Sequence, residues 1–394
     1  MKEQFNNTIR EQVLSLASLA ETQLGHCFDE QTLRSLMTVA EIFDIRKIIV
    51  TGCGDSYAAA GAMRDVITRY SDTFGCEAVT AIDYARFISA AEIGMGEPNS
   101  PLVLVVSAGG STSRIIEVLK KSACTSASAI LITSASDTPA AKAADKVFSL
   151  DTPSFGKASP GLRTYFASLA GLAAITCRIG YVRGALPPEA QQHWPRVITD
   201  YIHRVFKDID AVDDAMFALA QDWKEFERFE FIGDARDLYS AHFCADKIYE
   251  CTGLLVDCDD SENWCHVNYF VKQPESVGTV FLADKNLASF GRILETIETA
   301  RNIGRPVLVV TNAERSQFGA GVTVCTMAAA PKGFEWLFPF VNYLPAALFA
   351  GYHSALNDHK FFNSVDLLTG EKEQTAYFCK EYFTLSASNI EIHI

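Results

Sequence analysis

Basic residues are scarce in this chain. Its 394 residues hold 34 Lys and Arg against 48 Asp and Glu, a net charge of −14. A nucleic-acid backbone is gripped by clustered cations, so this balance argues against a nucleic-acid partner. It leaves room for a small phosphorylated ligand, which backbone N–H groups at one turn can hold whatever the global charge. Long apolar runs are missing too. Nothing approaches the roughly 20 consecutive apolar residues of a membrane helix, and the best stretch, Ala167–Cys177, reads as a buried helix. No membrane partner is expected. Met1–Thr8 carries Glu3 and several amides with no apolar run behind it, which is not the pattern of a secretory signal. Cysteine pairs are also absent: all eleven cysteines stand singly, with no Cys-x-x-Cys. They read as reduced thiols of a cytosolic protein. A zinc site would have to be assembled from residues distant in sequence, so no metal is expected.

What is present is the composition of a compact globular protein, 48% hydrophobic and 21% charged, long enough for each of two or three domains to bury a core. Short β-branched runs alternate with helical stretches. Arg46–Val50 leads into a Gly-bearing turn and a helix over 58–68; Pro101–Val106 leads into a turn and a helix over 114–121; Ala129–Thr133 and Lys146–Leu150 follow. This rhythm predicts βαβ units, a parallel sheet covered on both faces, and ligands at the edge where strands run into helices. The rhythm then restarts with Phe229–Gly233, Thr279–Leu282, a helix over 287–301 and Pro306–Val310, an internal duplication offset by about 180 residues. The fold class expected is therefore α/β, with two doubly wound parallel-sheet domains of flavodoxin-like type. The boundaries read as a helical segment over 1–40, a first domain over 41–183, a helical connector over 184–224, a second domain over 225–365 and a tail over 366–394.

The turn Ser107-Ala108-Gly109-Gly110-Ser111-Thr112 lies between an apolar strand and a helix. Glycines allow close backbone approach, and the helix start adds unpaired N–H donors and a positive dipole end. Ser107, Ser111 and Thr112 supply hydroxyls without charge, a combination suited to a phosphate monoester; the plainer alternative is a serine cap after a flexible turn. The turn Gly52-Cys53-Gly54-Asp55-Ser56-Tyr57 is no dinucleotide fingerprint, because Tyr57 stands where the third glycine belongs and only Asp83 could serve as the acidic partner. No cofactor is expected, and Ser56 reads as a contact to sugar hydroxyls. In the second half Lys247 and Glu250 stand three residues apart on one helical face, with His266 sixteen residues further on. Glu and His are the side chains tuned for proton transfer near neutral pH, and aldose–ketose interconversion needs one group to open the ring and one to carry a proton between C1 and C2. A surface ion pair and an ordinary loop histidine are the plain alternatives.

On these motifs the chain resembles the sugar isomerase (SIS) domain family, in particular double-SIS proteins such as the isomerase half of glucosamine-6-phosphate synthase and the fructosamine-6-phosphate deglycases. The likeness covers roughly residues 40–180 and 225–360. Ser107–Thr112 looks like the family's Ser-x-Ser-Gly-x-Thr phosphate loop, with Gly109 in place of the second serine. Gly52–Tyr57 looks like its Cys-Gly-x-Ser-Tyr turn, and Gly156-Lys157-Ala158-Ser159 resembles a segment that lines the sugar site through Ser159. The resemblance implies that Glu250 shuttles the C1/C2 proton, that His266 opens the ring across a homodimer interface, and that Lys247 sets the chain nearer isomerases than deglycases. It implies a 6-phosphorylated amino sugar or fructosamine-type adduct as substrate, with isomerase, deaminase and deglycase chemistry all open and a non-catalytic sugar-phosphate sensor as the rival. The surroundings of His266 depart from the family's Gly-Glu-x-x-His-Gly-Pro. A Schiff-base lysine has no clear equivalent, Lys360 and Lys372 being the nearest, and no glutaminase segment precedes the first domain, so a complete glutamine-dependent synthase is not expected. The aromatic tail with Tyr377, Phe378, Tyr382 and Phe383 has no assigned role.

Overall fold

The computed structural model describes residues 2–95, 100–364, 366, 367, 369–371 and 388–394. Two five-stranded parallel sheets carry the fold, one in each of two compact units. Lys372 and the aromatic tail lie outside the described residues.

The first sheet contains β1 (Ile45–Gly52), β2 (Cys76–Thr80), β3 (Ser100–Val106), β4 (Ser128–Thr133) and β5 (Lys146–Ser149), in the order β2-β1-β3-β4-β5. Its central strands are continuous apolar runs because both faces are covered. One face packs Ile49, Val103, Val105 and Leu131 against Tyr84 and the Ser113–Ser122 helix. The apolar stretch expected over 167–177 is the middle of a longer helix, Arg163–Arg183, whose 21 residues are long and apolar enough by composition to cross a membrane. Its most apolar window is 89% buried inside the protein, as in a core helix. The helix expected over 58–68 is two helices, Asp55–Ala62 and Arg64–Tyr70, which meet at Met63. This unit holds Ser18–Ser154, Arg163–Thr199 and the described C-terminal residues.

The second sheet contains β6 (Arg228–Ile232), β7 (Leu255–Asp259), β8 (Val277–Ala283), β9 (Val307–Thr311) and β10 (Thr323–Thr326), in the order β10-β9-β8-β6-β7. Read from the other end this is the order of the first sheet. Alternate residues of β6 face opposite sides. Ile232 joins Trp264, Phe281 and Ile297 in one core, and the Glu230 carboxylate accepts a bond from Trp264 Nε1 at 2.7 Å. Phe229 points the other way, onto Phe349 and His353 of the Leu344–Leu356 helix. The 184–224 connector forms two helices, Ala190–Phe206 and Ile209–Asp222.

Candidate active site

β1 runs into the Asp55–Ala62 helix through a fold-back that only glycine permits at its start. A Cβ on Gly52 would lie 2.7 Å from the backbone of Ser56 and Tyr57. Gly54 then takes φ 52°, in the region that L residues avoid. This path brings Ser56 to the edge of β3, where its Oγ accepts from the Ala108 amide at 3.4 Å. The structure thus joins Ser56 to the Ser107–Thr112 turn.

That turn is tied down through its carbonyls. Ala108 O accepts from the Ser134 amide at 3.2 Å and the Thr133 hydroxyl at 3.3 Å, and Gly110 O accepts from the Ala140 amide at 3.0 Å. Gly110 is a conformational requirement: its φ is 59°, and a Cβ there would meet Thr138 Oγ1 at 2.3 Å. Gly109 is not, since a Cβ there meets nothing within 4 Å. The missing serine of the family loop would therefore fit, and its absence removes a hydroxyl rather than a clash. Ser107 is buried at the strand end, while Gly109 and Ser111 are exposed. Thr112 caps the Ser113–Ser122 helix without a side-chain cap bond, so its hydroxyl and the amides of Ser113 and Arg114 face no helical acceptor, while the Ile115 amide donates to the Thr112 carbonyl at 3.1 Å. Arg114 in that first turn is engaged elsewhere, by Glu117 at 2.6 Å and by Ser388 Oγ at 2.8 Å. The turn offers dipoles and hydroxyls, not a fixed cation.

Ser159 belongs to the other compact unit, with Met1–Ala17 and the second sheet. Its Oγ accepts from Thr8 Oγ1 and from Gln12 Nε2, both at 2.9 Å. With two acceptor sites filled, its own proton remains to donate.

Lys247 and Glu250 lie in the Arg236–Thr252 helix. They are not the surface pair of the plain alternative: the Lys247 side chain is fully buried, bonded to Glu250 Oε2 and set 4.7 Å from the Phe243 ring centre. Glu250 keeps 28% of its side chain exposed, so one end of this pair reaches solvent. The Glu250 carbonyl accepts from the Phe362 amide at 2.7 Å, which brings the exposed Lys360 to within two residues of the site.

His266 ends the Ser261–His266 helix and is exposed, not part of a loop. Its Nε2 lies 3.0 Å from Glu262 Oε1, and Glu262 Oε2 accepts from Arg292 Nε at 2.7 Å. Those two bonds hold the Glu262 carboxyl below its ordinary range. Glu262 and Arg292 orient the imidazole, and only their spacing hinted at it: Glu262 precedes His266 by one helical turn. Trp264, fully buried, anchors this short helix on the Ile232 side of the sheet. The Arg236–Thr252 helix lies on the other side, bonded through the Cys251 carbonyl to Ser354 of the Leu344–Leu356 helix. Glu250 and His266 therefore ride on helices that pack against opposite faces of the second sheet.

Residues 41–175 match the family model of the SIS domain. No curated protein matches the sequence. Among solved structures the chain is similar to the C-terminal domain of glucosamine-fructose-6-phosphate aminotransferase from Francisella tularensis (15% identity, 91% of this chain and 98% of that one, TM-score 0.77). It is similar also to tagatose-6-phosphate ketose/aldose isomerase from Escherichia coli (14%, 88% and 92%, 0.70) and to glucosamine-6-phosphate deaminase from Thermotoga maritima (15%, 86% and 95%, 0.57). At these identities the likeness is one of fold. The family model covers about a third of the chain, around the first sheet, and the solved structures share the fold that carries both sheets.

Proposed function

We propose that this double-SIS chain is a phosphosugar isomerase-type enzyme acting on a 6-phosphorylated amino sugar or fructosamine-type adduct. The observation that carries the reading is the Ser107–Thr112 turn: its carbonyls are bonded inward, and its hydroxyls and helix-start amides are left for an anion. There the phosphate accepts from the Ser111 and Thr112 hydroxyls, the Gly109 amide and the helix start, with Ser107 behind them. Ser56 and Ser159 donate to sugar hydroxyls. Fixing the phosphate orients C1 and C2 for proton transfer.

In this reading Glu250 carries the proton between C1 and C2 of the open-chain form. It takes the proton from C2 of an aldose or from C1 of a ketose or ketosamine and returns it to the other carbon through an enediol or enolamine, and Lys247 holds the carboxylate in place. His266, oriented by Glu262, assists ring opening. Its place on the opposite face of the sheet from Glu250 supports a homodimer in which each chain lends His266 to its partner's site. The named similar structures include an isomerase, a deaminase and an aminotransferase domain, which supports this reaction class without choosing within it.

Incubation with glucosamine 6-phosphate, fructose 6-phosphate and fructoselysine 6-phosphate, with assays for hexose phosphate, ammonia and lysine, separates isomerase, deaminase and deglycase. Glu250→Gln is expected to lose about 10²- to 10⁴-fold in turnover, the range for a general base, while still binding the sugar phosphate. Tight binding by the wild-type chain with no turnover on any of the three would replace the enzyme with a sensor.

A further inference from the structure

The first unit carries a cluster of arginines around a cavity, at the opposite edge of its sheet from the Ser107–Thr112 turn. Arg183 donates to the carbonyls of Ile42 and Ile45 at 3.0 and 3.1 Å, which fixes the end of the Arg163–Arg183 helix beside the start of β1. One turn earlier lies a cavity of about 550 Å³ lined by Arg34, Thr38, Val39, Arg178, Tyr181 and Val182. β1 and β3 run parallel with Ile45 opposite Ser100, and the turn begins at Ser107. Seven residues at roughly 3.3 Å each separate the two places by about 20 Å.

Arg178 is the unusual member. It is 4% exposed, its Nε is buried without a hydrogen-bond partner, and no carboxylate is paired with it among the described residues. A buried guanidinium without a counter-charge is costly, and chains rarely keep one without a partner. The nearest ionisable groups compound the demand. Arg34 lies close enough that its charge, after burial itself, pulls Arg178 below its ordinary value; Tyr181 and Glu30 oppose this only weakly. Glu30 is engaged by Arg34, and the Thr38 hydroxyl is used in its capping bond to Glu41.

We infer that this cavity binds a small phosphate monoester through Arg178 and Arg34, as a site separate from the Ser107–Thr112 turn. Two guanidinium forks match the geometry of a phosphate. The volume lies within the range of small-molecule sites. Val39, Val182 and the Tyr181 ring supply apolar wall for the esterified group. The inference does not rest on the reading of the turn.

Isothermal titration of the full chain in phosphate-free buffer tests it, with inorganic phosphate and p-nitrophenyl phosphate as probes. Ser111→Asp, which places a charge in the turn, is expected to leave one binding equivalent per chain. Arg178→Met or the exposed Arg34→Gln added to it should weaken that equivalent at least tenfold. The p-nitrophenyl ester should bind there more tightly than inorganic phosphate. Arg178→Met alone should also raise the midpoint of thermal unfolding in phosphate-free buffer, because it removes an unpaired buried charge, which separates loss of binding from loss of fold. Two results would overturn the inference: a folded Ser111→Asp chain that binds neither probe, or phosphate stoichiometry unchanged by Arg178→Met. Dissociation of a dimer by Arg178→Met with unchanged phosphate stoichiometry would overturn it equally, assigning Arg178 to a carboxylate of a second copy.

Discussion

At the carboxyl edge of the first sheet Gly54 turns the chain with φ 52° and ψ −129°; at the second, Ala235 does so with φ 50° and ψ −120°. Gly52 and Gly233 precede these turns, and a Cβ on either would strike the backbone four residues ahead, at 2.7 and 2.6 Å. Thr133 and Thr311 end equivalent strands, are both buried, and each accepts from the amide two residues on. The chain path is repeated, but the side chains are not. Where the first edge has Ser56 and Ser107, the second has Asp237 and Asp284, both buried. The second set is used up internally. Asp284 pairs with Arg236 and accepts from Asn286 and Asn312; Asp237 accepts from the Asp284 amide and Asn342 Nδ2; Asp234 accepts twice from Ser261, at the start of the helix that carries His266. An L residue at such a φ costs on the order of 1–3 kcal/mol, so the bonds around Ala235 hold a conformation that Gly54 adopts freely. Duplication preserved the turns, and one copy lines them with hydroxyls while the other fills them with carboxylates, which would repel an anion.

If the second edge is structural, breaking it should cost stability and leave phosphate binding alone. Asp284→Ala leaves Arg236, Asn286 and Asn312 without their acceptor in a buried place, and about 3–5 kcal/mol of stability should be lost. Denaturant unfolding measures this, and a loss below about 1 kcal/mol would end the contrast between the edges.

Acidification should divide the second unit's buried groups by sign. Burial, then His359, lowers the His353 pKa from 6.5 to about 4. Its unfolded form binds more protons below pH 6.5, so stability falls as pH drops from 6.5 towards 4, by up to about 3 kcal/mol at 1.36 kcal/mol per unit. Burial, then the charge of Asp284, raises Asp237 well above its ordinary 3.8. Its folded form holds the extra proton, so this group adds stability as pH falls from neutral towards 3.8. The two slopes oppose each other in the wild-type chain. His353→Leu should show stability rising over that window, and Asp237→Asn should show it falling; unfolding free energies at pH 7, 5.5 and 4.5 read both. Identical profiles in the two variants would show that neither group is coupled to folding as its burial implies.

The central strands and the offset of the repeat were legible because β3, β4, β8 and β9 are apolar runs covered on both faces, and β1 and β6 end in apolar residues leading into Gly-bearing turns. Three edge strands were not. β2 reads Cys-Glu-Ala-Val-Thr, β7 Leu-Val-Asp-Cys-Asp and β10 Thr-Val-Cys-Thr, short and partly exposed, and such sequences pass for loops. At the candidate site the Ser107–Thr112 turn was visible as residue types in the right place, but which glycine the backbone requires was not, since that depends on Thr138, distant in sequence. The burial of Lys247 was hidden for the same reason: a lysine three residues from a glutamate looks solvated until the Phe243 ring and the helix packing are known. The acidic edge of the second copy gave no signal at all, because its meaning comes from superposing the two turns.

The remaining tests act on the first edge. Ser111→Asp gives the open turn a carboxylate like those of its counterpart, at an exposed position. Like charges brought together cost several kcal/mol, so sugar-phosphate affinity should fall about 100-fold, near 2.7 kcal/mol, with the fold intact by circular dichroism; unchanged affinity would remove the phosphate from this turn.

The smallest expected effect is the sharpest test of the turn's geometry. Gly109→Ser adds a hydroxyl where a Cβ meets nothing within 4 Å and φ is not positive, so stability should change by less than about 0.5 kcal/mol. If the phosphate sits against this backbone, the new hydroxyl adds one hydrogen bond, about 0.5–1.5 kcal/mol, and affinity for a sugar phosphate should rise roughly two- to tenfold. Gly110→Ala, one residue on, meets Thr138 Oγ1 at 2.3 Å and a φ of 59°, and should cost stability and affinity together. The paired substitutions differ by one position and should move affinity in opposite directions. A gain from Gly109→Ser can arise only if the ligand lies on the open side of the turn, because the other side is closed by the bonds from Ser134 and Ala140 to the carbonyls of Ala108 and Gly110.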